Sequence, residues 1–177
     1  KLTLMKTSAD SLKKSADALN DSSLWEKKKI KKKDEKTGEE IEVEDYDWDK
    51  ITKAVKSFVE DYNDVVKEAG ESNTKDVLRN ASWMTGMTDK NSNMLAKIGI
   101  TIGKGNKLEL DEDALKQADI SLLKTVFTGY NSFVSKISQK ATGISNAANR
   151  ASATYTNNGT YSKTDSSLTS SKIDKEV

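Results

Sequence analysis

The sequence predicts a mainly α-helical chain: an elongated helical bundle with antiparallel coiled-coil seams, plus one or two small β-hairpins. Three observations lead there. Apolar residues recur at spacings of three and four along three separate stretches, the period of one helix face. Hydrophobic residues make up 34% of the 177 and charged residues 32%, so the core is thin and much of the chain is solvated. Proline is absent, so no helix is forced to kink.

The first stretch, residues 2–20, places Met5, Ala9, Leu12, Ala16 and Leu19 at spacings of 4, 3, 4 and 3. Lysines and Asp10 fill the other faces. Two of the five are alanines, so the helix needs a partner to be stable. A charge block comes next. Residues 27–36 are mostly lysine and residues 39–49 mostly acidic, with the turn sequence Lys36-Thr37-Gly38-Glu39 between them. Folding there lays basic against acidic strand and puts Ile30, Ile41 and Val43 on one face. The competing reading is a solvated polyampholyte loop.

Asp47 suits the N-cap of a second helix, with Tyr46 stapling onto Ile51. Its seam is Ile51, Val55, Phe58, Tyr62, Val65 and Ala69, and Gly70 ends it. Asn73 is the expected cap of a short third helix ending near Gly86. Residues 99–110 read as a hairpin turning at Gly103-Lys104-Gly105-Asn106 and placed at one end of the bundle, with the charged hairpin at the other, and Asp111 reads as the cap of the next helix. The last helix is expected to be the longest. It begins at Leu115 and carries Leu123, Phe127, Tyr130, Val134, Ile137, Ala141, Ile144, Ala148 and Ala151, with an allowance for a break near Thr128-Gly129. Residues 1–155 thus form a single leg-like domain with 25–46 as a charged insert. Residues 156–177, rich in Ser, Thr and Lys, read as a flexible tail.

Little here points to chemistry. Histidine and cysteine are absent, which removes the commonest general base, the commonest metal ligand, thiolate sites and disulfides. The cluster Glu39, Glu40, Glu42, Glu44 and Asp45 lacks calcium-loop spacing and faces lysines. Gly103-x-Gly105 precedes a strand, not the helix N-terminus that a phosphate cradle requires. Lys27–Lys33 is better neutralised by its own acidic neighbour than by nucleic acid, and the net charge is +1. The reading is a non-enzyme with no catalytic, cofactor or metal residues, no nucleic-acid partner and no membrane span. Self-association through the helices is the expected interaction. Trp25 and Trp48 flank the charged insert. They either close its mouth against the helices or form an exposed contact patch.

Several segments resemble the flagellar hook-associated protein 2 family, the filament caps. They are Leu2-Thr3-Leu4-Met5-Lys6-Thr7 with Leu12, Ser15–Leu19 and Ser23-Leu24-Trp25. Then come Ile51–Asn63, read Ile-x-x-Ala-Val-x-x-Phe-Val-x-x-Tyr-Asn, and Leu95–Thr101 with Lys107–Leu115, which Val126-Phe127-Thr128-Gly129 extends. The order is the family's and covers about residues 2–155. The resemblance implies export without a cleaved signal, an extracellular place on the flagellum or cell surface, oligomers at the filament tip, and contacts with flagellin or other axial proteins. One departure is large. The family carries a big outer-domain insert where this chain has only residues 25–46. The alternative is a secreted or cell-surface interaction module, adhesin-like, built on the same helical fold.

Overall fold

The computed structural model describes residues 1–159, which are mainly helical with two small antiparallel sheets. In order these are α1 (Leu2–Leu19), β1 (Lys28–Lys33), β2 (Glu40–Asp45), α2 (Trp48–Gly70), α3 (Lys75–Lys90), α4 (Ser92–Ala96), β3 (Ile100–Ile102), β4 (Leu108–Leu110), α5 (Glu112–Gln117), α6 (Ile120–Phe127) and α7 (Phe133–Gly159).

The four long helices pack with antiparallel neighbours. Asp10 and Asp17 of α1 meet Ser145 and Ser138 of α7, so the residue numbers rise on one helix as they fall on the other. The α1 stripe Met5, Ala9, Leu12, Ala16 and Leu19 is buried, as are Val134, Ile137, Ala141, Ile144 and Ala148 of α7. α2 brings its whole seam to the same core, where Phe58 lies 6.3 Å edge-on from Phe133 and 6.2 Å from Tyr62. The deep hydroxyl on that seam is satisfied: Tyr62 donates to Thr88 Oγ1 at 2.8 Å, and the Thr88 hydroxyl in turn donates to the Met84 carbonyl at 2.9 Å. Burial of this phenol pushes its pKa up to about 12. Each fully buried Leu, Ile or Phe contributes about 1.5–3 kcal/mol, which is how a chain so rich in charge still holds a core.

Cap signals are borne out at Asp47 and Asp111, whose carboxylates accept from the backbone N–H of Lys50 and Ala114. The hairpin at residues 99–110 also folds as read, β3 and β4 in register Ile100↔Leu110 and then capped α5, while the residues leading into it form the short helix α4, which was not expected. The turn uses Gly105 and Asn106 at φ 69° and 64°. One joint was not legible. Asn63 of α2 brackets the outer edge of β4, its Nδ2 donating to the Leu108 carbonyl at 2.9 Å and its Oδ1 accepting from the Leu108 N–H at 2.7 Å. A single amide thus serves as the missing third strand. Asn63→Ala is expected to cost about 1–3 kcal/mol by stranding both groups. Urea denaturation measures the cost, and faster hydrogen exchange at the Leu108 amide locates it.

The structure corrects four expectations. The last helix is three, α5, α6 and α7: the break allowed for at Thr128-Gly129 is there, with Thr128 extended and Gly129 at φ 102°, and a second, unexpected one falls at Ala118, which is also extended. α3 does not stop near Gly86 but runs to Lys90, so Gly86 is a helix-interior residue. Thr74, not Asn73, stands at its N-cap, without a side-chain capping bond. The 99–110 hairpin lies against the flank of α2 at Asn63, not off one end of the helices. Of the predicted tail, residues 156–159 complete α7 and 160–177 lie outside the described residues.

Candidate functional site

The seam residues picked from the sequence are used up inside the molecule. Met5, Leu12, Leu19, Ile51, Val55, Phe58, Tyr62, Val65, Phe127, Val134, Ile137 and Ile144 are all at most 2% exposed. They form one internal core, and no stripe of them is left open for a partner. Tyr130 is the exception and is corrected: it is 83% exposed. Its place three residues after Phe127 fits the period, but the backbone leaves the helix at Thr128 before reaching it.

Trp25 is likewise not an exposed contact. It is 1% exposed, stacks on Phe127 with centroids 5.4 Å apart and planes within 7°, and donates its indole N–H to the Leu19 carbonyl at 2.7 Å. That carbonyl belongs to the last turn of α1, which lacks helical partners. The indole therefore caps the helix it follows. Beside it, Asn20 brackets Gly129, with Nδ2 donating to the Gly129 carbonyl at 3.3 Å and Oδ1 accepting from its N–H at 2.8 Å. The end of α1 is thus fastened to the break between α6 and α7. Trp48 is half-buried and lies edge-on to Tyr46 at 6.0 Å. Lys27 and Lys124 lie 5.7 Å and 6.0 Å over the Tyr46 ring. Trp25 thus lies in the core, and Trp48 packs against it.

The insert itself is a hairpin. Its register pairs Lys29↔Glu44, Lys31↔Glu42 and Lys33↔Glu40 on one face, and Lys28↔Asp45, Ile30↔Val43 and Lys32↔Ile41 on the other. Opposite charges therefore neutralise each other across the strands, with a 2.6 Å ion pair from Lys32 to Asp45. Its loop closes with the Asp34 N–H on the Glu39 carbonyl at 2.7 Å and Gly38 at φ 72°. Ile30, Ile41 and Val43 share a face, as the turn sequence predicted.

Between α1 and α7 the polar contacts repeat every seven residues. Lys6 pairs with Asp10, which accepts from Ser145 at 2.6 Å. Lys13 pairs with Asp17, which accepts from Ser138 at 2.7 Å. The Lys6 ammonium and then the Ser145 hydroxyl hold the Asp10 carboxyl below its ordinary range. Burial works against the Asp17 charge, but Lys13 and Ser138 together outweigh it and lower that carboxyl too. Both groups favour the fold above the ordinary carboxylate range, and that contribution is lost as pH falls through their lowered values. Asp61, on α2, behaves oppositely. Desolvation, the largest cause, and the charges of Asp64 and Glu60 raise it, against the Ser15 hydroxyl. Ionised Asp61 opposes the fold above its raised value. Asp61→Asn is therefore expected to raise Tm at pH 7, with the gap from wild type closing as pH falls toward 3.8. Thermal melts across pH 3.5–7.5 check it (about a half-unit step suffices).

One surface escaped the sequence reading. A shallow groove of about 590 Å³ runs between α3 and α7, lined by Trp83, Gly86, Met87 and Lys90 on one side and Lys136 and Lys140 on the other. Trp83 is 53% exposed, and Lys140 Nζ lies 4.8 Å over its ring. The signal was present: Val77, Ala81, Met84 and Thr88 are the buried face of α3, and Trp83 is one residue off that stripe. A second hollow of about 330 Å³, lined by Met5, Glu68 and Thr74 among others, lies where the start of α1 meets the end of α2. Among the described residues no group of three acidic side chains is placed to hold a metal, and no helix is long and apolar enough to cross a membrane.

Comparison of the chain with protein-family models, with curated proteins and with solved structures finds no match.

Proposed function

We propose that this chain is a structural assembly protein of the bacterial flagellum, akin to the filament caps, acting outside the cell and not as an enzyme. The observation that supports it most is the segment from Leu95 to Leu115. Its α4, tight hairpin and Asp111-capped α5 form in the order that the family resemblance implies, and Asn63, the last residue of the resembling helix segment, fastens that hairpin. In this reading the seams work as coiled-coil packing that stiffens a slender leg. Contacts with further copies, or with flagellin, then use exposed side chains such as Leu4 and Tyr130, since the seam is filled. The charged hairpin stands where the caps carry their outer domains.

Size-exclusion chromatography with light scattering, with and without flagellin, tests the proposal. Oligomers or a flagellin complex are expected. A strict monomer that ignores flagellin at high concentration overturns it.

The second reading is a non-flagellar secreted or cell-surface interaction module. The groove around Trp83 favours it, because an exposed tryptophan among lysines suits ligand capture more than stiffening. Deleting the gene separates the two: loss of filament growth and motility supports the first, unaffected motility with lost adhesion the second.

A further inference from the structure

We propose that the α3–α7 groove binds an acidic glycan, with the indole of Trp83 as the platform for a sugar ring and Lys90, Lys136 and Lys140 as counter-charges for its carboxylates. Three independent features of the groove point to a ligand.

The first is Trp83. Tryptophan is among the largest apolar side chains and is usually well buried; here it is 53% exposed, while the Lys140 ammonium 4.8 Å over the ring holds it in place. The second is the charge. Lys90, Lys136 and Lys140 converge on the groove from its two sides, and none of them makes an ion pair among the described residues. No acidic side chain lines the groove, so its three charged side chains are all positive. The third is Gly86. Glycine inside a helix costs about 0.5–1 kcal/mol relative to alanine. Nothing lies within 4 Å of the position its Cβ would occupy, so no packing inside the molecule explains the missing side chain. Its absence leaves an open floor beside Trp83, where a ligand can approach the helix backbone.

The shape and donors select the class. Trp83 to Lys90 is seven residues of helix, about 10 Å. That is short for the roughly 800 Å² patch a folded partner needs and suits one or two sugar rings. A ring is also rigid, so it loses little freedom on binding, whereas an acidic peptide must be ordered residue by residue. A nucleotide fits less well. Its phosphates could meet the lysines but would gain no free backbone N–H groups beside them, because the lining residues lie within α3 and α7 or, at Asn91, donate to the Thr88 carbonyl. The lysines instead offer separated single charges, matched to carboxylates carried on successive rings. Ser82 and Asn91 also line the groove, where the Ser82 hydroxyl can meet a sugar hydroxyl and the Asn91 amide nitrogen is already bonded to the Met87 carbonyl at 2.9 Å.

The test is titration of the whole chain with tetragalacturonate, monitored by isothermal titration calorimetry. Heat reads every variant on the same footing, Trp83→Ala included. Saturable binding that weakens as salt rises is expected. Trp83→Ala should weaken it about tenfold or more, as loss of an aromatic anchor does. Gly86→Gln should do the same by filling the floor, with circular dichroism and Tm close to wild type. Lys136→Gln with Lys140→Gln should weaken it and flatten the salt dependence. The proposal is overturned by no saturable binding at millimolar ligand, by equal affinity for a neutral tetrasaccharide, by tighter binding of poly-glutamate or a nucleotide, or by Gly86→Gln binding as wild type does. None of these outcomes depends on flagellin or on oligomeric state.

Discussion

Gly99→Val is expected to lower stability by about 3 kcal/mol or more, through backbone strain and collision together. Gly99 sits at φ 89°, where L side chains rarely go, and its carbonyl accepts from the Asp111 N–H at 2.8 Å. A Cβ there would stand 2.6 Å from the Asp111 carbonyl oxygen and 3.0 Å from the Leu115 nitrogen. Both neighbours are backbone, so neither can swing aside. Something must move, and the candidates are the β3–β4 hairpin and the first turn of α5. For a domain of this size about 1 kcal/mol shifts Tm by 2–4 °C, so a fall of roughly 10 °C is expected by calorimetry. Gly105→Ala is the matched control. It shares a positive φ of 69° but meets nothing within 4 Å, so only the conformational cost of about 1–2 kcal/mol remains. Equal losses at the two positions would show that crowding at Gly99 is not the cause.

Trp25→Ala is expected to be as damaging, about 3–5 kcal/mol for removing a fully buried tryptophan. The loss has two parts that a second substitution separates. Trp25→Phe keeps a ring to stack on Phe127 but removes the donor to the Leu19 carbonyl, leaving an unsatisfied acceptor worth about 1–3 kcal/mol. Trp48→Ala, at a half-buried position, should cost clearly less. Chemical denaturation of the three variants ranks them. If Trp25→Ala unfolds no more easily than Trp48→Ala, the joint between α1 and the α6–α7 break does not fasten the fold.

Where local signals decide structure, the sequence was readable. Met5 to Leu19 and Ile51 to Ala69 are periodic over several turns, so their buried faces could be counted off directly. Asp47 and Asp111 announced helix starts through a residue type that bonds its own neighbours. The charged hairpin came from a turn glycine between complementary blocks. Where distant parts of the chain decide, the reading failed. Asn20 and Asn63 look like ordinary surface amides until residues 129 and 108 arrive beside them. Phe127 and Tyr130 continue one period on paper, yet the extended backbone at Thr128 and the positive φ of Gly129 separate them into a core ring and a solvated one. Gly86 looked like a helix stop because glycine often is one, and in the fold it is instead an opening beside Trp83. The seams could be named, but not whether a second copy or the chain itself would fill them.

The charged hairpin has an engineering corollary. Its strands pair chiefly with each other, its root is held by Trp25 and by Trp48 against Tyr46, and its tip is closed by bonds between Asp34, Gly38 and Glu39. The helices therefore register where the two strands enter and leave, and scarcely what joins them. Doubling the length of such a connection costs only about 0.6 kcal/mol in closure entropy. Residues 35–38 are accordingly a splice point, where a tag or a whole folded module can be carried at the far tip of the hairpin while the helices beneath keep their packing.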